Sequence, residues 1–346
     1  MKKLFIFATL FVSSISISAQ ASFSLKENES TIVYSLPKTE FCIVVQTEKV
    51  TQKPGLFYRY SERYLATNKV ITEEKTTFRL KGIQVKTLPK PDSNRTYSFV
   101  PAKKSEGCHI SVNSNGILCG VNVPFQSETV INEEITEVQI ENPSPSKLLP
   151  LGEEYMMAGS EAKLAEGAAK QIYRIRESRL GLLTSDVEKL PADGASFKSM
   201  MDGLNKMEKD LTELFIGTTS TETQTKKVYL TPDTALDKQV LFRLSSLLGV
   251  VSTNDLSGVP YYIGIKPSLI ASVSSDPKAK KEPVEIYTIL PAATQVSIGD
   301  GINTLYSGQF YVPQFGKTIP LAQNVLQQPK VIIRIDQQTG RLLGVE

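Results

Sequence analysis

The middle of this chain carries a helical pattern inside a sequence that otherwise alternates like β-strand, and that interruption limits the folds open to it. Phe197, Met200, Leu204, Met207, Leu211 and Leu214 recur at spacings of 3, 4, 3, 4 and 3 residues, which puts them on one apolar stripe of a helix. Asp193 stands before the stripe as an N-cap residue and Gly217 closes it. Upstream, Ala165, Ala168, Ile172, Ile175 and Leu182 follow the same kind of spacing within a stretch rich in Ala, Glu, Lys, Arg and Leu, all good helix formers. The break Leu190-Pro191-Ala192-Asp193-Gly194 separates the two stretches. Together they predict an antiparallel helical hairpin over residues 158–217. The small residues at the start of its first helix let the two helices approach closely.

On either side the pattern changes to that of strands. Phe41, Ile43 and Val45 alternate with polar or smaller residues, the period of a half-buried strand. Asn113-Ser114-Asn115-Gly116 and Asp336-Gln337-Gln338-Thr339-Gly340 read as hairpin turns, each with a glycine where positive φ is cheap. A two-residue loop at Asn115-Gly116 would pair Val112 with Cys119. Short blocks recur in the same order at the two ends of the chain. Phe57-Tyr58-Arg59-Tyr60-Ser61 matches Leu241-Phe242-Arg243-Leu244-Ser245, and Gly82-Ile83-Gln84-Val85 matches Gly258-Val259-Pro260-Tyr261. Tyr97-Ser98-Phe99-Val100-Pro101-Ala102 matches Tyr287-Thr288-Ile289-Leu290-Pro291-Ala292, and the block from Gly116 to Val121 matches that from Gly340 to Val345. The shared order implies a duplicated domain. The Arg59 and Arg243 blocks are expected to be short amphipathic helices, the second with Val240, Leu244, Leu247 and Leu248 on one face. Pro143-Ser144-Pro145-Ser146 reads as linker. The expected fold is α+β: two related, mostly antiparallel β domains, residues 22–142 and 218–346, flanking the central helical hairpin, with a linker over residues 143–157.

The first residues carry an address. Lys2 and Lys3 precede the apolar run from Leu4 to Val12, and Ala19-Gln20-Ala21 supplies small residues for a peptidase. Residues 1–21 are therefore expected to be a secretory signal peptide, cleaved near Ala21, leaving a protein of the periplasm, cell surface or medium. Its removal leaves basic and acidic residues almost balanced, which gives no electrostatic reason for a nucleic-acid partner. No later segment is apolar for long enough to span a bilayer as a helix. Three cysteines, Cys42, Cys108 and Cys119, permit one disulfide in an oxidising compartment, and their spacing does not choose among the three pairs. Read by burial preference, all three are plain buried thiols.

The single histidine, His109, rules out a zinc site built on two or three histidines of one chain and is expected at the surface or on an edge strand. Arg174, Arg176 and Arg179 offer an anion site, or else an ion-pair network with Glu177, Glu208 or Asp210; the network is the expected reading. Lys278, Lys280 and Lys281 read as a solvated loop, and Glu133-Glu134 as an exposed strand or linker. Gly299-Asp300-Gly301 lacks the helix and lysine context of a phosphate loop. Tyr261-Tyr262, or Tyr306 with Phe310 and Tyr311, offer the aromatic faces of a sugar-stacking platform, or else pack in the core or on a sheet; packing is the expected reading. A carboxylate-dependent hydrolase needs two acids converging in a cleft, and no pair of acids stands out in the sequence. No catalytic, cofactor-binding or metal-ligating residue is assigned, and no cofactor is expected.

The stretch from Ala168 to Arg179, followed by Leu190-Pro191-Ala192-Asp193-Gly194 and Glu213-Leu214-Phe215-Ile216-Gly217, resembles a family of secreted Bacteroidetes proteins defined as domain of unknown function 4831. The resemblance covers essentially the whole mature chain and implies an extracytoplasmic bacterial protein. It brings no functional residues with it. Asp233-Thr234-Ala235 is similar to the acceptor signal for O-linked glycans in such bacteria. The expected function is a non-enzymatic binding or scaffold module of the cell envelope, with envelope polysaccharide or protein as partner. The alternatives are a subunit of a larger surface assembly and a carboxylate-dependent hydrolase.

Overall fold

A computed structural model describes residues 32–99, 109–123, 159–184, 193–269, 284–326 and 331–346. The leader, the 143–157 linker, Pro101, Cys108, Glu133-Glu134 and the lysines at 278, 280 and 281 lie outside the described residues. The described residues form a strand-rich body and a pair of helices.

Three antiparallel sheets make the body. The first has the order β2-β1-β5, from Lys75–Phe99, Ile32–Lys53 and Thr218–Leu230. The second has the order β10-β9-β8-β6-β7, from Thr304–Ala322, Val284–Gly299, Val259–Pro267, Leu236–Ser245 and Gly249–Val251. The third is a four-stranded sheet, β12-β11-β4-β3, in which two hairpins distant in the chain pair edge to edge, from Leu342–Val345, Ile333–Ile335, Leu118–Val121 and Ile110–Val112. Regions before and after the helices share these sheets: β5 pairs with β1, and β4 pairs with β11. At the second of these seams Gly120 sits at φ +154, where a Cβ would lie 2.1 Å from the Ile333 carbonyl oxygen.

Two apolar cores hold the body together, and β1 serves both. Phe41, Ile43 and Val45 face the second sheet, packing on Phe242, Leu244, Ile263, Ile265, Val296, Ile298 and Val312. Tyr34 and Leu36, in the opposite phase of the strand, join Phe99, Leu118, Val121, Ile286, Ile289, Ile333 and Ile335. Residues of opposite parity lie on opposite faces of a regular strand, and a register irregularity between Ser35 and Pro37 separates the two sets. There the partner strand makes an excursion over residues 92–95, and β10 makes a matching one over 313–316. Arg95 joins them, donating to the carbonyls of Pro313 (2.9 Å) and Gln314 (3.1 Å) and ion-pairing with buried Asp92 (3.5 Å). Gln314 returns the contact: its Oε1 accepts from Thr39 N–H, and its Nε2 donates to the carbonyls of Thr39 and Pro232. Nearby, the hydroxyl of Tyr34 accepts from Tyr287 N–H (2.9 Å), and burial pushes its pKa up to about 12.

The helices α2 (Glu161–Thr184) and α3 (Gly194–Ile216) pack side by side, following the short 3-10 turn Tyr58–Tyr60 and helix α1 (Ser61–Leu65). A one-turn helix, α4 (Gln323–Leu326), follows β10. Asp193 caps α3, its side chain accepting from Ser196 N–H at 2.7 Å, and Gly217 ends it at φ +90. At the base, Ala165, Ala168, Ala169 and Ile172 meet Leu211, Leu214, Phe215 and Phe57. Backbone bonds from Phe57 to Leu214 and from Ile71 to Ile216 tie this end to the body. The other end is open: Leu180 and Leu183 are each 61% exposed, Met200 45% and Met207 42%.

Three local expectations need correction. The Arg243 block is not a helix: Leu241–Ser245 lies in β6, Phe242 and Leu244 point into the core, and Leu247 and Leu248 are exposed. Val240 and Leu244 are four apart, a spacing that fits a strand's period as well as a helix's, and pairing with β8 decides it. The first hairpin turn is longer than two residues: Val112 pairs with Leu118 rather than Cys119, because Asn113 Oδ1 accepts from both Asn115 N–H and Ile117 N–H. The single apolar stripe proposed for α3 is also out of phase. Half-buried Phe197, Met201, Leu204 and Glu208 share a face with buried Leu211, while Met200 and Met207 lie beside it.

Candidate functional site

The two faces of the five-stranded sheet separate the aromatic candidates. Tyr261 points inward and stacks on Phe242, ring centroids 4.8 Å apart and nearly parallel; Tyr306 and Phe310 pack into the same core. Tyr262, one residue on, points outward, as strand alternation requires. Tyr311 is also exposed on this sheet. Tyr262 forms one wall of an open trough of about 230 Å³ across the outer face. The floor is made of small residues: Gly264 of β8 lies opposite Ser297 of β9, and Tyr262 lies opposite Gly299. A side chain at 264 would press on Ser297, and a Cβ at 299 would lie 2.2 Å from the Asn303 carbonyl oxygen, so the turn that closes the trough needs glycine there.

A bulge in β6 supplies the charged wall. Between Leu236 and Gln239 the register with β8 slips, and Lys238 takes φ +54 there. A left-handed residue in a bulge is ordinarily glycine; a side chain in that conformation costs about 1 kcal/mol. The bulge lays the Lys238 ammonium over the Tyr262 ring, Nζ 5.2 Å from the centroid. Among the described residues no carboxylate pairs with Lys238. Lys266, also lining the trough, stands 3.7 Å from Asp237, but both are largely exposed (73% and 90%), so water screens that pair.

The β9–β10 turn closes the end of the trough. Asp300 organises it, its Oδ1 accepting from Ile302 N–H (2.8 Å) and Asn303 N–H (2.7 Å), and these bonds hold its carboxyl below the usual range. Gly301, at φ +96, rests against the Tyr262 ring. The glycines at 299 and 301, which do not form a phosphate loop, shape a turn that leaves Asn303 and Thr304 along the trough's rim.

The other candidates are accounted for by structure. Arg176 and Arg179 both ion-pair with Glu208, and Arg179 also donates to Asn205, so these residues tie the two helices together as an ion-pair network. Arg243 donates to the carbonyls of Thr253 and Gly258. His109 is exposed just before β3. Cys42 is a buried thiol, and Cys119 is half-buried. Thr234 lies exposed in the loop between β5 and β6. The carboxyls clearly displaced from their ordinary range, those of Glu166, Asp193, Asp255 and Asp300, are all lowered by local hydrogen bonds or lysines. Among the described residues no three His, Cys, Asp or Glu side chains cluster as metal ligands, and no helix is long and apolar enough to cross a membrane.

The sequence had placed Tyr262 among the candidate aromatics but gave no sign of Lys238, Lys266 or Ser297. No short motif marks them; a strand pattern broken at Asp237-Lys238 was the available signal. A family model described as Domain of unknown function (DUF4831) matches residues 30–343, nearly the whole chain. No curated protein and no solved structure matches it.

Proposed function

The chain belongs to the DUF4831 family, whose definition assigns no activity, and from its own residues we propose that it is an exported, non-enzymatic binding module that holds its ligand in the trough beside Tyr262. The observation that carries this reading is Lys238. Its left-handed bulge holds over an aromatic face an ammonium that, among the described residues, has no carboxylate partner; left-handed φ also occurs at Ala66, which caps a helix, and at Asn122, but Lys238 combines it with a charged side chain aimed into a trough, and such strain clusters at binding sites. Export rests on the charged, apolar and small-residue sequence from Lys2 to Ala21. The non-enzymatic part rests on the lining, where Asp237, exposed and paired to Lys266, is the carboxylate among the trough residues; acid–base hydrolysis needs two carboxyls held apart in pKa.

A melting-temperature screen of the purified protein against glycans, peptidoglycan fragments, peptides and divalent metals tests the reading. A ligand present at a hundredfold excess over its dissociation constant stabilises the folded state by about 2.7 kcal/mol. The expected result is a shift with one chemical class that Tyr262→Ala removes. No shift with any class, or a shift that Tyr262→Ala leaves intact, overturns it.

A second reading, a subunit of a surface assembly, is favoured by the open end of the helical pair, where Leu180, Leu183, Met200 and Met207 face solvent. Native extracts in which the protein is strictly monomeric would exclude it.

A further inference from the structure

We infer that the free edge of β5 pairs with the β5 of a second copy of this chain, joining two three-stranded sheets across a two-fold axis. Among the described residues six strands lie at sheet edges, and an open edge invites another strand unless something blunts it. Five of them are blunted. β3, β7 and β12 are three, three and four residues long. β2 carries Pro89 and Pro91, and β10 carries Pro313 and Pro320, residues that cannot donate to a ladder. β5 differs: it is 13 residues long, contains no proline or glycine, and pairs with β1 without a bulge. From Thr218 to Thr225 its one charged residue is Glu222. Its other edge bonds to no described strand, and Thr221, Glu222, Thr223 and Lys226 are exposed.

The order of residues along the strand selects the partner. A two-fold axis normal to the sheet keeps both inner faces on one side, so it sets even-numbered residues opposite even-numbered ones. Full overlap of the two strands then centres the axis on Gln224, with Thr218 opposite Leu230. In that register Glu222 stands opposite Lys226 on both sides of the axis, and Thr223 opposite Thr225, all favourable cross-strand pairs. Moving the axis by one residue sets Glu222 opposite Val228 or Gln224 and leaves the lysines without an acid. The register of full overlap is thus also the register of charge complementarity. Within its own chain Lys226 donates to the Val250 carbonyl at 2.9 Å, which uses one of its three donors. Glu222 stands 3.5 Å from Lys49 and keeps about half of its side-chain surface open. Lysines on an edge turn other strands away, and Glu222 of the second copy answers them.

Sedimentation of the purified protein over a range of concentrations tests the pairing, and a reversible dimer is expected. Glu222→Lys and Lys226→Glu each set like charges opposite one another on both sides of the axis, so each alone is expected to weaken the dimer about tenfold. An equal mixture of the two variants is expected to dimerise as the parent does, because each new charge then meets its opposite. A variant that merely misfolded would not be rescued by mixing. Gln224→Cys, on the axis, is expected to give a disulfide-linked dimer on oxidation that the parent does not give. Thr221→Cys, which faces Lys227 and not its own copy, is expected to give none. A monomer at every concentration overturns the inference. So does a dimer that both reversals leave intact, which forms through another surface, and so does a mixture that stays monomeric. A crosslink from Thr221→Cys with none from Gln224→Cys overturns the register, and with it the charge argument.

Discussion

The strand-rich body and the helical pair are built on opposite plans. The body is closed by contacts between distant parts of the chain. Arg95 reaches the carbonyls of Pro313 and Gln314, Gln314 reaches back to Thr39, and β4 pairs with β11. The helical pair is closed by neighbours in sequence, with Arg176 and Arg179 meeting Glu208 and alanines of one helix meeting leucines of the next. The body buries side chains on both phases of its central strand, whereas the pair buries most of its apolar side chains at its base and, among the described residues, only Leu182 near its other end. The contrast teaches where stability and freedom lie. A change in the body must be felt throughout, and a change at the open end of the helices must stay there.

The largest expected effect is in the body. Phe41 is fully buried between the first and second sheets, edge-on to Phe310 at 5.6 Å. Phe41→Ala should cost about 3–5 kcal/mol, and far-UV and tyrosine signals should report one shared transition in denaturant. A loss under about 1 kcal/mol, or two separate transitions with the helices melting unchanged, would break the contrast, because it would make the body less cooperative than its pairing implies.

Next in size is the polar join between the two cores. Gln314→Ala removes one acceptor and one donor and leaves Thr39, buried to 2% exposure, with an unmet N–H and carbonyl. An orphaned buried group costs about 1–3 kcal/mol, so a loss of about 2 kcal/mol in equilibrium unfolding is expected. Hydrogen exchange should quicken at Thr39 and in both excursions, 92–95 and 313–316, while α2 and α3 keep their protection. Exchange that quickens only next to residue 314 would mean that the excursions are not joined through it.

These same contacts mark what the sequence could and could not show. The helical pair was legible because its determinants are local: a cap, a spacing and a closing glycine each act within a turn or two. Even there the phase slipped. Counting apolar residues chose Met200 and Met207, while the seam runs through Glu208, which the two arginines make acceptable on the inner face. The hairpin turns at Gly116 and Gly340 were legible for the same reason, both at positive φ. The partners of β1, β5 and β4 were not, because strand pairing over some two hundred residues leaves no periodic trace. Of the four matched block pairs one differs in element, since the Arg59 block is helical and the Arg243 block is strand, while the other three fall on strands at both ends, Leu118–Val121 and Leu342–Val345 among them. One matched pair does meet in space: Tyr97 and Tyr287 stack at 4.3 Å. The trough was the least legible feature, as its lysine is exposed by a bulge and its floor by missing side chains.

A smaller effect, confined to the helices, depends on pH. The Asp193 carboxylate accepts from Ser196 N–H and its hydroxyl, which lowers its pKa in the folded state. A depressed carboxyl contributes stability that is present above its unfolded value, about 3.9, and is lost as pH falls through the folded one. Amides in the first turn of α3 should therefore lose protection below about pH 4, after correction for intrinsic exchange. Asp193→Asn keeps a capping oxygen but cannot titrate, so its protection should not follow this acid transition. An acid loss of equal size in both proteins would place the titrating group elsewhere.

The smallest effect sharpens the contrast most, because it separates the two ends of a single helix. Met207 sits on the same flank of α3 as Leu214, seven residues on, yet Met207 is 42% exposed and Leu214 only 5%. Leu214 is covered because the chain near Phe57 folds over the base, its N–H bonded to the Leu214 carbonyl at 2.7 Å; beyond that contact the flank faces water. Met207→Ser should then change stability by no more than about 0.5 kcal/mol, while Leu214→Ala should cost about 2–5 kcal/mol. The pair of measurements tests whether burial at the base alone anchors the helices. If Met207→Ser is neutral in dilute protein but lowers the melting temperature in concentrated protein, the open end is covered by association, and the assembly reading gains the support the isolated chain cannot give it. If it costs as much as Leu214→Ala at every concentration, the open end is packed, and the division between a closed base and a free tip is wrong.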